Sequence, residues 1–156
     1  MGLDFSGSVL SNTDFTEMDL SGVILEHAVG SGCIFTGAYG DHVHMGKALL
    51  TSSIFNQAVF RDSYFSETLF GHSVFMETVF YKCKFLRTDF SCALFQPSNG
   101  VAFSHSFMED VNFSGVEGLS AEHFDGVCLK NCDFTGTGLT KRALRQRHNR
   151  VINCHF

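Results

Sequence analysis

Asp41, His42 and His44, with His27 a short way before them, form the densest group of chemically able side chains in the sequence. Two imidazoles and a carboxylate are groups that a metal such as zinc accepts as ligands. Surface histidines with no such role are commoner, so His42 and His44 stand only as a weak candidate metal site, and neither a metal nor any other cofactor is expected. Other chemistry is sparser still. The glycines form no phosphate-cradling loop, there is no nucleophile-elbow sequence, and Cys33, Cys83, Cys92, Cys128, Cys132 and Cys154 include no CxxC pair. Spread along 156 residues, these cysteines read as reduced and mostly packed thiols rather than as a disulfide framework. Catalytic residues are therefore not assigned, and binding rather than catalysis is the expectation.

Charge is divided along the chain. Residues 1–139 carry all 16 acids and six bases, a net −10, whereas Lys141, Arg142, Arg145, Arg147 and Arg150 give the last 17 residues +5. Such a split bears on solubility and partner choice, not on fold. No apolar run approaches the length of a membrane span, and the opening MGLDFSGSVL lacks the basic stretch and apolar segment of a secretory or transit signal. The cytoplasm is the expected location, and no membrane contact is expected.

These residues must be positioned by a repeat. Phe55, Phe60, Phe65, Phe70, Phe75, Phe80, Phe85, Phe90 and Phe95 are nine consecutive phenylalanines at a spacing of five. The frame runs back through Leu50, Met45, Phe35, Leu25, Leu20, Phe15, Leu10 and Phe5. Two residues before each centre sits a small or modest side chain, as in Ser53, Ala58, Ser63, Thr68, Ser73, Thr78, Cys83, Thr88 and Ala93. Neither the helical period nor the strand period places every fifth residue on one side. A coil that turns a corner every five residues does. Short strands joined by tight turns, stacked about 4.8 Å apart so that neighbouring backbones pair, meet the requirement.

Segments such as DFSGS, TDFTE, TDFSC and CDFTG resemble the repeat A(D/N)LXX of the pentapeptide-repeat family, whose centre is Leu or Phe, and the resemblance spans nearly the whole chain. It implies an all-β fold, a right-handed quadrilateral parallel β-helix with about 20 residues per coil and about seven coils. Reading columns at that interval stacks Lys47, Glu67 and Arg87 with alternating sign beside His27, and does the same for His42, Asp62 and Lys82.

The repeat departs from itself in three places. Gly30 and Gly40 occupy centres, which predicts a pinch or a dent in the second coil. QPSNGVA inserts three residues after Phe95, and Pro97, Asn99 and Gly100 predict an outward loop over 96–102. Beyond Phe113 the strict frame turns Glu117 and Glu122 inward, so the backbone of an irregular coil at 114–126 must differ. GLSAEHF recurs 20 residues later as GLTKRAL, making Ser120 and Thr140 N-caps of two turns on the same side. The expected organisation is thus a β-helix over 1–139, then a cap over 140–156: a helix at 141–148 and a return segment, VINCHF, over the open end.

Outward positions carry the functional question. Just before the centres, one column reads Ile34, Ile54, Val74 and Leu94, another Val9, Val29, Leu49 and Leu69, and a third includes Val59 and Val79. Strand propensity accounts for branched residues there, and so does a partner or self-association surface. Tyr81 and Phe107 point outward singly.

The Phe- and Leu-centred repeats are similar to the pentapeptide proteins that protect bacterial DNA gyrase from quinolones and toxins. That resemblance implies a protein partner, gyrase among the candidates, an acidic rod shaped like B-form DNA, no direct nucleic-acid contact, and a homodimer as an option. Asp14, Glu17, Asp19, Asp62, Glu67, Glu77, Asp89, Glu109 and Asp110 are then the candidate contacts, with Leu139, Leu144, Val151 and Ile152 as a self-association seam. The alternative is a scaffold or targeting domain of a secreted effector or larger protein, acting in a host cell. A first repeat that starts at Leu3 fits such a domain.

Overall fold

The computed structural model describes residues 2–96 and 100–156; Pro97 and Asn99, on which the expected loop rests, lie outside them. Extended segments are two or three residues long, because each face of the coil holds one inward centre between two outward neighbours. They are β1 (Tyr39–Asp41), β2 (Val59–Arg61), β3 (Val74–Phe75), β4 (Val79–Tyr81), β5 (Lys84–Leu86) and β6 (Leu94–Phe95). Then come β7 (Phe103–Ser104), β8 (Phe107–Glu109), β9 (Phe124–Asp125), β10 (Cys128–Lys130), α1 (Lys141–Arg145) and β11 (Arg150–Ile152). All pairings are parallel, in the orders β1-β2-β4-β7-β9, β5-β8-β10-β11 and β3-β6.

The chain is a right-handed quadrilateral parallel β-helix. One column of outward residues climbs it through Asp4, Ile24, His44, Tyr64, Lys84, Phe107, Cys128 and Arg150. Continuous strand pairing is five strands deep at most, against the about seven coils expected. Earlier coils are joined by isolated bridges, because a tight turn on either side of each centre leaves one residue per face in extended geometry.

Inside, phenylalanines stack in files. Phe15, Phe35, Phe55, Phe75 and Phe95 follow one another at ring separations of 4.9, 4.6, 5.0 and 5.0 Å with nearly parallel planes. Phe90, Phe113 and Phe134 form another file at 5.1 Å per step. Between files the rings meet edge to face, as Phe65 and Phe80 do at 5.3 Å. Both arrangements suit the ring quadrupole, which disfavours only the eclipsed sandwich. The small residues two before each centre share this interior and, where polar, are satisfied. Thr78 and Ser73 donate to the carbonyls of Phe55 and Leu50 in the coil below, at 2.7 and 2.9 Å.

Corners follow a strict conformational rule that does not depend on residue type. Among the described residues, nineteen non-glycine residues have positive φ, most of them two positions after a centre, and they include Lys47, Glu67 and Arg87. A left-handed conformation costs roughly 1–2 kcal/mol for such a residue. Each corner is held there by a backbone bond to the next coil, as from Lys47 N–H to the Ser66 carbonyl at 2.8 Å and from Glu67 N–H to that of Leu86 at 2.7 Å.

At Gly30 and Gly40 the neighbours close in. A Cβ on Gly30 would fall 2.8 Å from Leu50 Cδ2 and 3.0 Å from Cys33 Sγ, and one on Gly40 would fall 2.5 Å from Val43 Cγ2 and 3.1 Å from the Leu20 carbonyl carbon. The second coil is pinched rather than dented.

Glu117 and Glu122 are both exposed. Gly118 turns the backbone with φ +74°, where a Cβ would meet the Phe95 carbonyl oxygen at 1.7 Å. His123 fills the vacated centre, its ring 5.8 Å from that of Phe95. Its Nδ1 accepts from Ser120 N–H at 2.9 Å, which leaves Nε2 to donate to the Gln96 carbonyl at 3.1 Å. One coil later Thr140 Oγ1 accepts from Ala143 N–H at 3.2 Å and starts α1, which packs beside the short turn at Ala121–His123. α1 ends at Arg145, three residues before the expected limit. Asn149 captures the Leu144 carbonyl at 2.9 Å and that of Phe124 at 3.1 Å, so the chain is drawn back to the coil. β11 then pairs with β10, and Phe156 stacks on Phe134 at 5.4 Å.

Two substitutions test this packing. Phe75→Ala, which empties the centre of a file, is expected to cost about 3–5 kcal/mol in urea denaturation. Gly40→Ala, which a cavity would welcome, is expected to lower stability by about 1–3 kcal/mol through overpacking.

Candidate interaction faces

The acids expected to meet a partner are mostly engaged by the coil itself. Asp14 and Asp19 each accept the backbone N–H two residues on, from Thr16 and Ser21, at 2.9 Å, and Asp89 accepts from Ser91 at 2.8 Å. Asp4 and Asp133 do the same with Ser6 and Thr135, whose hydroxyls also donate to the carboxylate. These side-chain and backbone hydrogen bonds hold the carboxyls of Asp4, Asp14, Asp19 and Asp133 below the ordinary value for aspartate. An acid two residues before Ser or Thr is a visible signal of this role, and the contact assignment overlooked it.

Other candidate acids are paired across coils. Glu67 accepts from Arg87 at 2.9 Å, Glu109 from Lys130 at 2.5 Å and Glu77 from the Gln57 amide at 3.2 Å. The Arg87 contact keeps the Glu67 carboxyl low, with smaller help from Lys47. Among the described residues Glu17, Asp62 and Asp110 alone of the nine lack such a partner, and all three stand at left-handed corners. The alternating column Lys47, Glu67, Arg87 and Asp110 is neutral overall, so this edge is not an acidic ridge.

The apolar columns are present and exposed. Val29, Leu69 and Ile54 have 38, 40 and 36 % of their surface open to solvent, and Leu49, Ile34, Val74 and Leu94 are half-buried. Bridges link Val29, Leu49 and Leu69 in one column and Ile34, Ile54, Val74 and Leu94 in the next. The corner between these two faces carries Ser31, Gly32, Thr51, Ser52, Gly71, His72, Ser91 and Cys92, small or uncharged side chains throughout. A partner that wraps this corner would therefore meet no acidic, lysyl or arginyl side chain between the two faces. The corner before them is built from Glu26, His27, Lys47, Glu67 and Arg87. This contrast was readable from the sequence once columns were aligned, and was not drawn from it.

Two further assignments change. His42 stands exposed at a corner with φ 56°, while His44 lies on a face, stacked on Tyr64 at 4.8 Å and 3.9 Å from Glu26. Among the described residues no group of three His, Cys, Asp or Glu could hold a metal ion. Leu139, Leu144 and Val151, offered as a self-association seam, retain 8, 0 and 4 % exposure, because the cap uses them to close the last coil. Ile152 alone of that set is half-exposed. The phenylalanines from Phe55 to Phe95 are all buried, as their period requires. No helix of the described residues is long and apolar enough to cross a membrane.

A family model for pentapeptide repeats matches residues 2–26 and 99–136 in eight copies. Among solved structures, QnrB1, a plasmid-mediated fluoroquinolone resistance protein, is 14 % identical with a TM-score of 0.52, the match covering 99 % of this chain and 68 % of that one. A pentapeptide repeat protein of the Arabidopsis thaliana thylakoid lumen is 19 % identical over 94 % of this chain and 81 % of its own, with a TM-score of 0.41. HetL, involved in heterocyst differentiation regulation in the cyanobacterium Nostoc, is 11 % identical over 99 and 87 %, with a TM-score of 0.38. No curated protein sequence matches the chain.

The aspartate turns make a pH prediction. Their carboxyls sit lower in the folded chain than the unfolded value of about 3.9, so the stability they lend is complete above about pH 4 and fades as pH falls through the lowered values. The melting temperature, followed by circular dichroism, is expected to drop below about pH 4. The drop should be shallower in the Asp14→Ala, Asp133→Ala double variant.

Proposed function

We propose that this chain, which belongs to the pentapeptide-repeat proteins, is a non-catalytic module that binds another protein through two adjoining apolar faces of its β-helix. The observation that carries the reading is the pair of columns Val29, Leu49, Leu69 and Ile34, Ile54, Val74, Leu94, which meet at an uncharged corner. Contiguous exposed apolar surface of this kind marks interaction sites, and branched and leucyl side chains on a stiff β-scaffold lose little freedom when covered.

The partner proposed first is bacterial DNA gyrase, which places the action in the cytoplasm. QnrB1, with which the chain shares its coil, is a fluoroquinolone resistance protein. The surface favours apolar docking over mimicry of DNA, since the apolar columns are continuous whereas the corner column of Lys47, Glu67, Arg87 and Asp110 alternates in sign and Glu109 is paired with Lys130.

Supercoiling by purified gyrase under a fluoroquinolone, with and without the protein, tests both parts. Wild type is expected to restore or modulate supercoiling. Ile54→Asp with Leu69→Asp is expected to abolish the effect while melting like wild type, and loss of Glu17, Asp62 and Asp110 is expected to change it little. No effect of wild type at micromolar concentration removes gyrase as the partner and leaves the scaffold or effector-domain role for the same faces.

A further inference from the structure

In the last coil two thiols stand one above the other. Cys132 and Cys154 hold the inward position two residues before Phe134 and Phe156, whose rings stack. Pairing on both sides fixes their register: Lys130 pairs with Ile152, Asp133 bridges His155, and His155 N–H donates to the Cys132 carbonyl at 2.9 Å. Directly opposed residues of neighbouring parallel strands lie about 4.8 Å apart. That separation is inside the Cα window of about 4.4–6.8 Å over which a disulfide closes. The sulfurs also lean the same way, Cys132 Sγ lying 3.8 Å from the Met108 carbonyl and Cys154 Sγ 3.6 Å from that of Leu129, each in the coil below. The other buried thiols have hydroxyls beside them in their columns instead, Ser53 next to Cys33 and Ser106 next to Cys83.

We propose that Cys132 and Cys154 are a peroxide-responsive dithiol site that closes to a disulfide and fastens the C-terminal cap to the coil beneath it. Cys154 is half-buried at the end of the column and Cys132 is wholly covered, so the first is the attacking thiol and the second the resolving one. Their coupling favours that order, lowering the Cys154 thiol, helped weakly by His155, while Cys132, the more deeply buried, is held protonated. The Cys154 thiolate attacks one oxygen of hydrogen peroxide, the O–O bond breaks, and Cys154 becomes a sulfenic acid as the departing hydroxide takes up a proton to leave as water. Cys132 then loses its proton and attacks that sulfur; the S–S bond forms and the sulfenic oxygen departs as a second water. Two electrons from the thiols reduce one peroxide to two waters. The bridge closes a loop that contains α1, and so restrains the cap in the unfolded chain as well as the folded one.

Peptide mapping of the full chain after treatment with equimolar hydrogen peroxide, without reductant, tests the site. The expected result is a peptide joining Cys132 to Cys154, a mass lower by about 2 Da, and reversal by dithiothreitol. The oxidised protein should also melt several degrees higher than the reduced one. Cys132→Ser is expected to accumulate a Cys154 sulfenic acid that dimedone traps, and Cys154→Ser to form neither product. Oxidation of exposed Cys92 or of Cys128 while Cys132 and Cys154 remain thiols would overturn the proposal, as would a disulfide joining any other pair. Mapping of wild type decides the matter even if a serine variant fails to fold.

Discussion

Every coil must hydrogen-bond the coil above and below it at the same backbone positions, and this lateral register governs the whole molecule. Ile34 N–H donates down to the Thr13 carbonyl while Phe35 N–H donates up to that of Ile54, and the pattern recurs on each face. Once it is imposed, any side chain stands about one strand spacing from its counterparts in neighbouring coils. Inside, only shapes that tile on themselves can fill the column, which is why phenylalanine follows phenylalanine. At the corners the same bonds hold lysine, glutamate and arginine in a left-handed conformation that such residues rarely adopt.

Outside, the register penalises repetition of like charge, because a column of carboxylates would place each against the next. The surface answers in three ways. Glu67 and Arg87 alternate in sign, Asp89 accepts from the Asn112 amide at 3.2 Å, and the aspartates of the first coil are followed by Ile24, Ile34 and Tyr39. Uncharged residues can be repeated along an outer column without electrostatic cost, and of these only the apolar ones gain from being covered by a partner. The continuous columns from Val29 to Leu69 and from Ile34 to Leu94 are therefore the most uniform surface the rod offers a partner, whereas its negative charge is dispersed and largely engaged within the coil.

The C-terminal end solves a different problem, the exposed core and strand edge of a last coil. His123 replaces a phenylalanine with a ring that hydrogen-bonds at both nitrogens, so the backbone can leave the repeat at Gly118 and return. Asn149 repeats the device, accepting from Val127 N–H at 2.9 Å and donating to two carbonyls. Both are buried polar residues of the kind that must be fully bonded to be tolerated. Closing the end consumes Leu139, Leu144 and Val151, and it also sets Cys154 above Cys132.

The five-residue period by itself determined the core from Phe55 to Phe95 and a coil that turns at every fifth residue. The 20-residue coil implied by the family resemblance added the sign alternation through Lys47, Glu67 and Arg87, and the recurrence of GLSAEHF as GLTKRAL added the turns after Ser120 and Thr140. Each depends on spacing alone, and a repeat makes distant neighbours predictable by counting. Counting fails where the interval changes. Three residues inserted after Phe95, and the detour between Phe113 and Phe124, hid His123 as a core residue, although Glu117 and Glu122, inward in the strict frame, marked where the backbone must leave it. Tertiary structure alone decided where the seam at Leu144 goes and which thiols meet. Those outcomes turn on which group is nearest in space after the chain has closed on itself, and composition and period specify the column but not the contact.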